Sequence, residues 1–165
     1  KGGPLAIEIA RALNRSGQST ILHVVGCRPE VAEPDQAMIM VHGLLSRSNP
    51  AESDQLRQLF LESHFLVVPT DAECFGIVFA EALAHGLPAV SRSVHAVPSI
   101  IDDDVNGILE SRTATADPYA QRILRVFGHW ERYCAMAAAG RNKYEATLTW
   151  DACAEKIVQT LDSLL

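Results

Sequence analysis

The sequence lacks most of the short signatures that announce a chemistry. Its four cysteines, Cys27, Cys74, Cys134 and Cys153, form no CxxC pair, which argues against a zinc ribbon and a disulfide framework. Its six histidines, at 23, 42, 64, 85, 95 and 129, include no HxxxH pair, so a zinc or iron site is not indicated. There is no G-x-G-x-x-G, no Walker A sequence and no G-x-S-x-G elbow, which weakens dehydrogenase, ATPase and hydrolase readings. No apolar run approaches the roughly 18 residues that a membrane-spanning helix needs, and no signal-peptide pattern opens the chain. A soluble, cytoplasmic protein is therefore expected. With 14 Lys+Arg against 20 Asp+Glu, the net charge of −6 disfavours nucleic acid or an anionic membrane as the main partner of these residues. What remains is 165 residues with 48% hydrophobic side chains, enough for the core of one domain.

Two hydrophobic periods alternate along that domain. Leu5, Ile9, Ala12 and Leu13 recur at helical spacing, with Glu8 and Arg11 on the other side, and Gly17 ends the segment. Thr20–Val25 and Met38–Val41 read as strands closed by Gly26 and Gly43. Asn49, Pro50 and Glu52 have the order of a helix cap, first position and third position, and predict a helix carrying Leu56, Leu59 and Phe60. Strands at 65–68, 88–90 and 107–109 then alternate with helices at 75–84 and 97–101. From 111 to 165 the pattern is helical only, with helices opening at Asp117, near Trp130 and at Asp151. The last of these carries Cys153, Ile157, Leu161 and Leu164 on one stripe.

Strands alternating with helices imply βαβ units: an α/β, Rossmann-like parallel sheet flanked by helices, with ligands at the carboxyl ends of the strands. The first element, however, is a helix, and Lys1-Gly2-Gly3 resembles a phosphate-type turn with no strand feeding it. In the strand order 3-2-1-4-5 the first strand is central, so the sequence predicts a missing first strand and a gap or substitute at its place.

The informative stretch is Thr70–Glu81, TDAECFGIVFAE. A helix beginning near Phe75–Gly76 leaves Glu73 in the loop above a strand and places Glu81 about five residues, or about 8 Å, along the axis. The free amides of Gly76, Ile77 and Val78 lie between the two carboxylates, at a helix end suited to phosphate. Carboxylates accept strong hydrogen bonds from sugar diols. The pair alone also fits a solvated helix residue and an acid at a helix N-terminus; its setting between FLVVPT and ALAHGLPAV favours a site.

In that setting Glu73-CFGIVFA-Glu81 resembles the E-x7-E motif of retaining GT-B glycosyltransferases, the glycosyl transferases group 1, family 4. KGG at 1–3, VVGCRP at 24–29, HGLLS at 42–46, VPSII at 97–101, NGIL at 106–109 and TW at 149–150 follow in the order of that family. The resemblance covers the C-terminal, donor-binding half of such an enzyme. It implies that Glu73 is the catalytic-centre carboxylate on the transferred sugar, with Cys74, Phe75 and Gly76 lining the pocket. It gives the Ile77 and Val78 amides to the diphosphate, Glu81 to the ribose hydroxyls and Lys1 to phosphate neutralisation. Gly26 and Arg28 would lie near the nucleotide, although Val25–Gly26 also fits an ordinary strand end; His42, Gly43 and Leu44 would sit at the base. The implied ligand is a UDP-, GDP- or ADP-linked sugar, bound as substrate without a cofactor or metal. The implied partner is an N-terminal acceptor half, through which peripheral contact with the inner face of a membrane is allowed. Related GT-B epimerases, glycoside phosphorylases and a binding-only module are the alternatives; the E-x7-E spacing favours the transferase.

Three departures and decoys belong beside this reading. His95-Ala96 stands where many relatives have a glycine pair near the donor, so His95 either narrows the pocket or occupies a tolerant surface loop. Asp102-Asp103-Asp104 mimics a metal-binding DxD but precedes Asn106-Gly107 and reads as a solvated turn. Cys74 lies at a helix N-terminus, which favours thiolate, yet no base is placed beside it.

Overall fold

The computed structural model describes residues 1–164. Helix α1 (Gly3–Arg15) starts two residues before the predicted apolar stripe, because Gly2 caps it from a left-handed conformation and Pro4 suits the first turn. Ala6, Ile9, Ala10, Ala12 and Leu13 form its buried face. Gly17, at φ +86°, turns the chain out of the helix. Asn14 then ties the turn down, donating to the Thr20 carbonyl at 3.0 Å and accepting from the Thr20 amide at 3.1 Å.

Strands β1 (Leu22–Val25) and β2 (Ile39–Gly43) pair in parallel, and β3 (Leu66–Val68), β4 (Ala89–Arg92) and β5 (Gly107–Glu110) form a second parallel set. The order is therefore β2–β1 and, separately, β3–β4–β5. β1 and β3 do not pair with each other, which leaves between the two sets the gap that the sequence led one to expect. The division shows in burial: β4 has Ala89, Val90 and Ser91 at 0% exposure, whereas all three residues of β3 are only half-buried.

Two apolar layers sandwich the three-stranded set, as the period-2 alternation of strands requires. Val90 and Ile108 face one side, with Ile9 and Leu13 of α1, Tyr119, Ile123 and Val126 of α6 (Ala116–Phe127), and Tyr133 and Met136 of α7 (Trp130–Lys143). Ala89 faces the other, with Phe79 and Leu83 of α4 (Ile77–Ala84), Val97 and Ile100 of α5 (Val97–Ile100), and Ile101 just beyond it. The predicted α/β class and parallel strands stand.

Several local readings change. A short helix, α2 (Glu33–Gln36), occupies a stretch with no predicted element; it delivers Asp35, buried at 4% exposure, to Arg11, whose Nε donates at 2.7 Å. Arg11 thus serves an ion pair rather than open solvent. Asn49 caps α3 (Pro50–Glu62) as expected, accepting from the Ala51 amide at 3.1 Å. Glu52 departs from the capping box: it accepts from the Ser46 amide at 2.6 Å and from Asn49 Nδ2 at 3.0 Å. Thr115 rather than Asp117 precedes α6. The predicted long helix from Trp130 changes to a π-helical turn at Tyr144–Leu148. Finally α8 (Trp150–Asp162) buries nothing: Ile157 and Leu161 are each 56% exposed, so its stripe is amphipathic but unpacked among the described residues. Leu165, the end of the predicted helical part, lies outside the described residues.

The three aspartates are more than a solvated turn. Asp103 and Asp104 hold Arg122 Nη2 at 2.5 and 2.9 Å, and Asp102 holds Lys143 at 2.7 Å, which fastens α6 and α7 to the end of α5. Arg11 and Arg122 keep the carboxyls of Asp35 and Asp104 below the ordinary carboxylate range, chiefly by hydrogen bonding. A carboxyl whose folded pKa is depressed stabilises the fold above its unfolded value of about 4 and loses that contribution as pH falls through the folded value. The urea midpoint is expected to drop on acidification from pH 5 to pH 3, and Arg11→Ala should flatten that acid limb.

Candidate functional site

The site is built at the carboxyl end of β3. Thr70, 1% exposed, anchors the loop leaving that strand: its hydroxyl donates to the Ala72 carbonyl at 2.8 Å. Asp71 is held by Arg92 at the end of β4. The loop then presents Glu73 and turns at Gly76 into α4. Gly76 has φ +86°, a left-handed conformation that favours glycine, and a Cβ there would lie 2.6 Å from the Phe79 ring. The turn therefore admits no side chain without rearrangement. Helix α4 starts at Ile77, two residues later than predicted. Its first amides, on Ile77 and Val78, have no intrahelical acceptor and point out of the helix start.

Lys1, Glu73, Cys74, Phe75, Gly76, Ile77 and Val78 line one concavity of about 290 Å³. Across it Lys1 Nζ lies 3.1 Å from Glu73 Oε2. The Glu73 side chain is only 12% exposed, and its other oxygen accepts from the Cys74 amide at 3.2 Å. Phe75 and Ile77, 47% and 63% exposed, supply apolar walls. Lys1 is placed there by Gly2, whose missing side chain lets the backbone pack directly on Pro69 after β3. Glu81, on the next turn of α4, lies outside this concavity and meets Arg47, Nη2 to Oε1 2.7 Å.

The other predicted residues form a separate group at the ends of β1 and β2. Gly26 donates to the Gly43 carbonyl at 2.7 Å, and the Arg28 guanidinium lies over Gly43. Leu44 is 81% exposed. The His42 side chain turns away to a stack with His23, with ring centroids 5.2 Å apart, and a 3.2 Å contact with Gln55. Burial, and then the neighbouring His42, push the His23 pKa down. The loop 44–48 bridges the two groups through Arg47, a residue the sequence reading missed; a lone arginine in S-R-S carries no local signal.

His95 sits at φ +45° and is exposed. It thus adopts at this loop a backbone conformation that glycine takes more easily. Among the described residues no cluster of three or more His, Cys, Asp or Glu is arranged to hold a metal, and no helix is long and apolar enough to cross a membrane.

A helix start carrying free amides, flanked by two carboxylates, stands at the carboxyl end of a parallel strand, as in a Rossmann-like domain. The chain belongs to the glycosyl transferases group 1 family, whose model matches residues 1–143. Among curated relatives it is 29% identical over 137 residues to a D-inositol 3-phosphate glycosyltransferase of Frankia alni, a match covering 81% of this chain and 32% of that protein. The chain spans about a third of the length of the curated relatives it matches. Its fold is that of GT-B C-terminal domains. It matches the C-terminal domain of the group 1 protein LpcC from Francisella tularensis, with TM-score 0.71 and 20% identity over 91% of this chain and 80% of that one. Anabaena HepE, solved in complex with UDP and glucose, matches with TM-score 0.73 and 17% identity over 98% of this chain and 46% of that one.

Proposed function

We propose that this chain is the donor-binding half of a retaining glycosyltransferase that moves a hexosyl group from a UDP-, GDP- or ADP-linked sugar to the acceptor of a glycoconjugate or polysaccharide. The observation that carries the reading is the placement of Glu73, the Ile77 and Val78 amides and Lys1 around one concavity, with Glu81 one turn further along the helix. Kinship with named glycosyltransferases and a solved neighbour holding UDP and glucose support it.

Each group has a physical task in this proposal. The diphosphate is the leaving group, and its developing charge needs donors already in place; the helix amides and Lys1 provide them. Glu73 accepts hydrogen bonds from the transferred sugar beside the centre that gains oxocarbenium character. Glu81 accepts from the ribose diol, while the ends of β1 and β2, with Gly26, Arg28, His42, Gly43 and Leu44, face the base. The acceptor attacks from the face that the leaving group departs, without a protein nucleophile; no metal or cofactor has a part in this reading. The acceptor site belongs to a further half of the parent protein, which also makes any contact with the inner face of a membrane from the cytoplasm. The 165 residues alone are expected to bind a nucleoside diphosphate and to transfer no sugar.

Calorimetry with UDP, GDP, ADP and their glucose conjugates tests this. Glu81→Ala should weaken the nucleoside diphosphate and the nucleotide sugar together, by about tenfold, the equivalent of one lost charge-assisted hydrogen bond. Glu73→Ala should weaken only the nucleotide sugar. Folded protein that binds none of these compounds would remove the donor site, and equal losses for both ligands in Glu73→Ala would remove the sugar role of Glu73.

A further inference from the structure

Most ion pairs among the described residues fasten one structural element to another: Arg11 to Asp35, Arg122 to Asp103 and Asp104, Lys143 to Asp102. Arg47 does something different. It stands in the loop between β2 and α3 and delivers Nη2 to Glu81 Oε1 at 2.7 Å, joining the base end of the site to the helix that carries the second glutamate. Its own neighbourhood offers nearer acids, and both are engaged. Glu52 spends one oxygen on the Ser46 amide at 2.6 Å and the other on Asn49 Nδ2 at 3.0 Å. Asp54 holds Arg57 at 2.9 Å. The same Glu52 contacts, with the 3.3 Å bond from the Ser48 amide to Ser46 Oγ, fix the backbone on both sides of Arg47. The loop is pinned, its local acids are occupied, and the guanidinium pairs with Glu81 instead.

We propose that Arg47 is a positioning residue for nucleoside recognition, and through Glu81 a determinant of selectivity for ribose over deoxyribose; the proposal rests on the donor-site reading above. A carboxylate offers about four lone-pair positions, and one nitrogen of Arg47 occupies one of them. The remaining positions on Oε1 and Oε2 stay open, and a vicinal diol donates two hydrogen bonds. A glutamate on a helix surface otherwise samples several rotamers and must be ordered on binding. With Arg47 in place that ordering precedes the ligand. Glu81, at 28% side-chain exposure, is sheltered enough to hold one orientation, while Arg47, at 62%, stays wet, so the gain is moderate.

The experiment is calorimetry on the whole 165-residue chain with UDP, GDP and ADP and with the 2′-deoxy form of each. Arg47→Ala should weaken the best-bound nucleoside diphosphate by about three- to tenfold and its deoxy form by less than about twofold, as expected for an exposed pair acting through a hydroxyl contact. Arg47→Lys should recover part of the loss, because a point charge replaces the planar fork. Added to Glu81→Ala, Arg47→Ala should change nothing further. Equal losses for the ribo and deoxy forms would overturn the proposal, since they would mean a role in the fold or at the phosphates. Tighter binding in Arg47→Ala would overturn it too, by showing that the arginine masks Glu81. Loss of affinity in Glu81→Ala with none in Arg47→Ala would remove the positioning role and leave the donor site standing. Failure of the unmutated chain to bind any nucleoside diphosphate would remove both.

Discussion

Replacing Gly76 by alanine is expected to cost about 3 kcal/mol of stability and more than about tenfold in nucleoside diphosphate affinity. Two penalties coincide at this residue. At φ +86° any L side chain is strained, by about 1–2 kcal/mol. The added methyl would also stand 2.6 Å from Phe79 Cδ2 and 3.1 Å from Glu73 Cγ. Neither neighbour moves freely: Phe79 is fully buried, and Glu73 is held by Lys1 and the Cys74 amide. Relief must come from the backbone, so the helix start and the Glu73 loop would part. Urea unfolding and calorimetry on the same variant would separate the two effects. An alanine variant with unchanged affinity would show that the amide geometry at Ile77 and Val78 is not what binds.

Phe79→Ala should cost about 3–5 kcal/mol, the usual range for emptying a fully buried aromatic site. Against a typical domain stability of about 5–15 kcal/mol, that removes a large part of the whole. Phe79 packs with Leu83, Ala89, Val97 and Ile100, so its loss opens a cavity under α4 rather than at the surface. Because its ring is what a side chain at Gly76 would strike, the two positions should couple. Phe79→Leu should cost less in the Gly76→Ala background than alone, and a double-mutant cycle by urea unfolding would measure the difference. Additive costs would show that the backbone, not the ring, relieves the clash.

The part of the molecule legible in the sequence was the part governed by short-range rules. Buried strands such as 65–68, the Asn49-Pro50 cap and the glycine at 76 each carry their structure in a few consecutive residues, and each stands close to its expected place. The E-x7-E pair was legible for the same reason, since a strand, a turn and a helix fix the height of both carboxylates. What escaped was partnership at a distance. Asp35 and Arg11 lie 24 residues apart, and nothing in a window around either shows that they bury each other. Arg47 and Glu81 are further apart still. The stripe on α8 shows the remaining limit: periodicity identifies an apolar face, but not what, if anything, lies against it.

The divided sheet has a practical consequence. A continuous five-stranded sheet has two open sides, whereas β2–β1 and β3–β4–β5 together have four. The inner two belong to β1 and β3, whose flanks carry Val25, at 37% exposure, and the half-buried Val67. Such sides are templates for strands of other molecules, and the chain sets neither proline nor lysine within β1 or β3 to discourage them. The 165 residues on their own should therefore self-associate as their concentration rises, which light scattering would read. A short extended peptide that docks along either inner side should keep it dispersed.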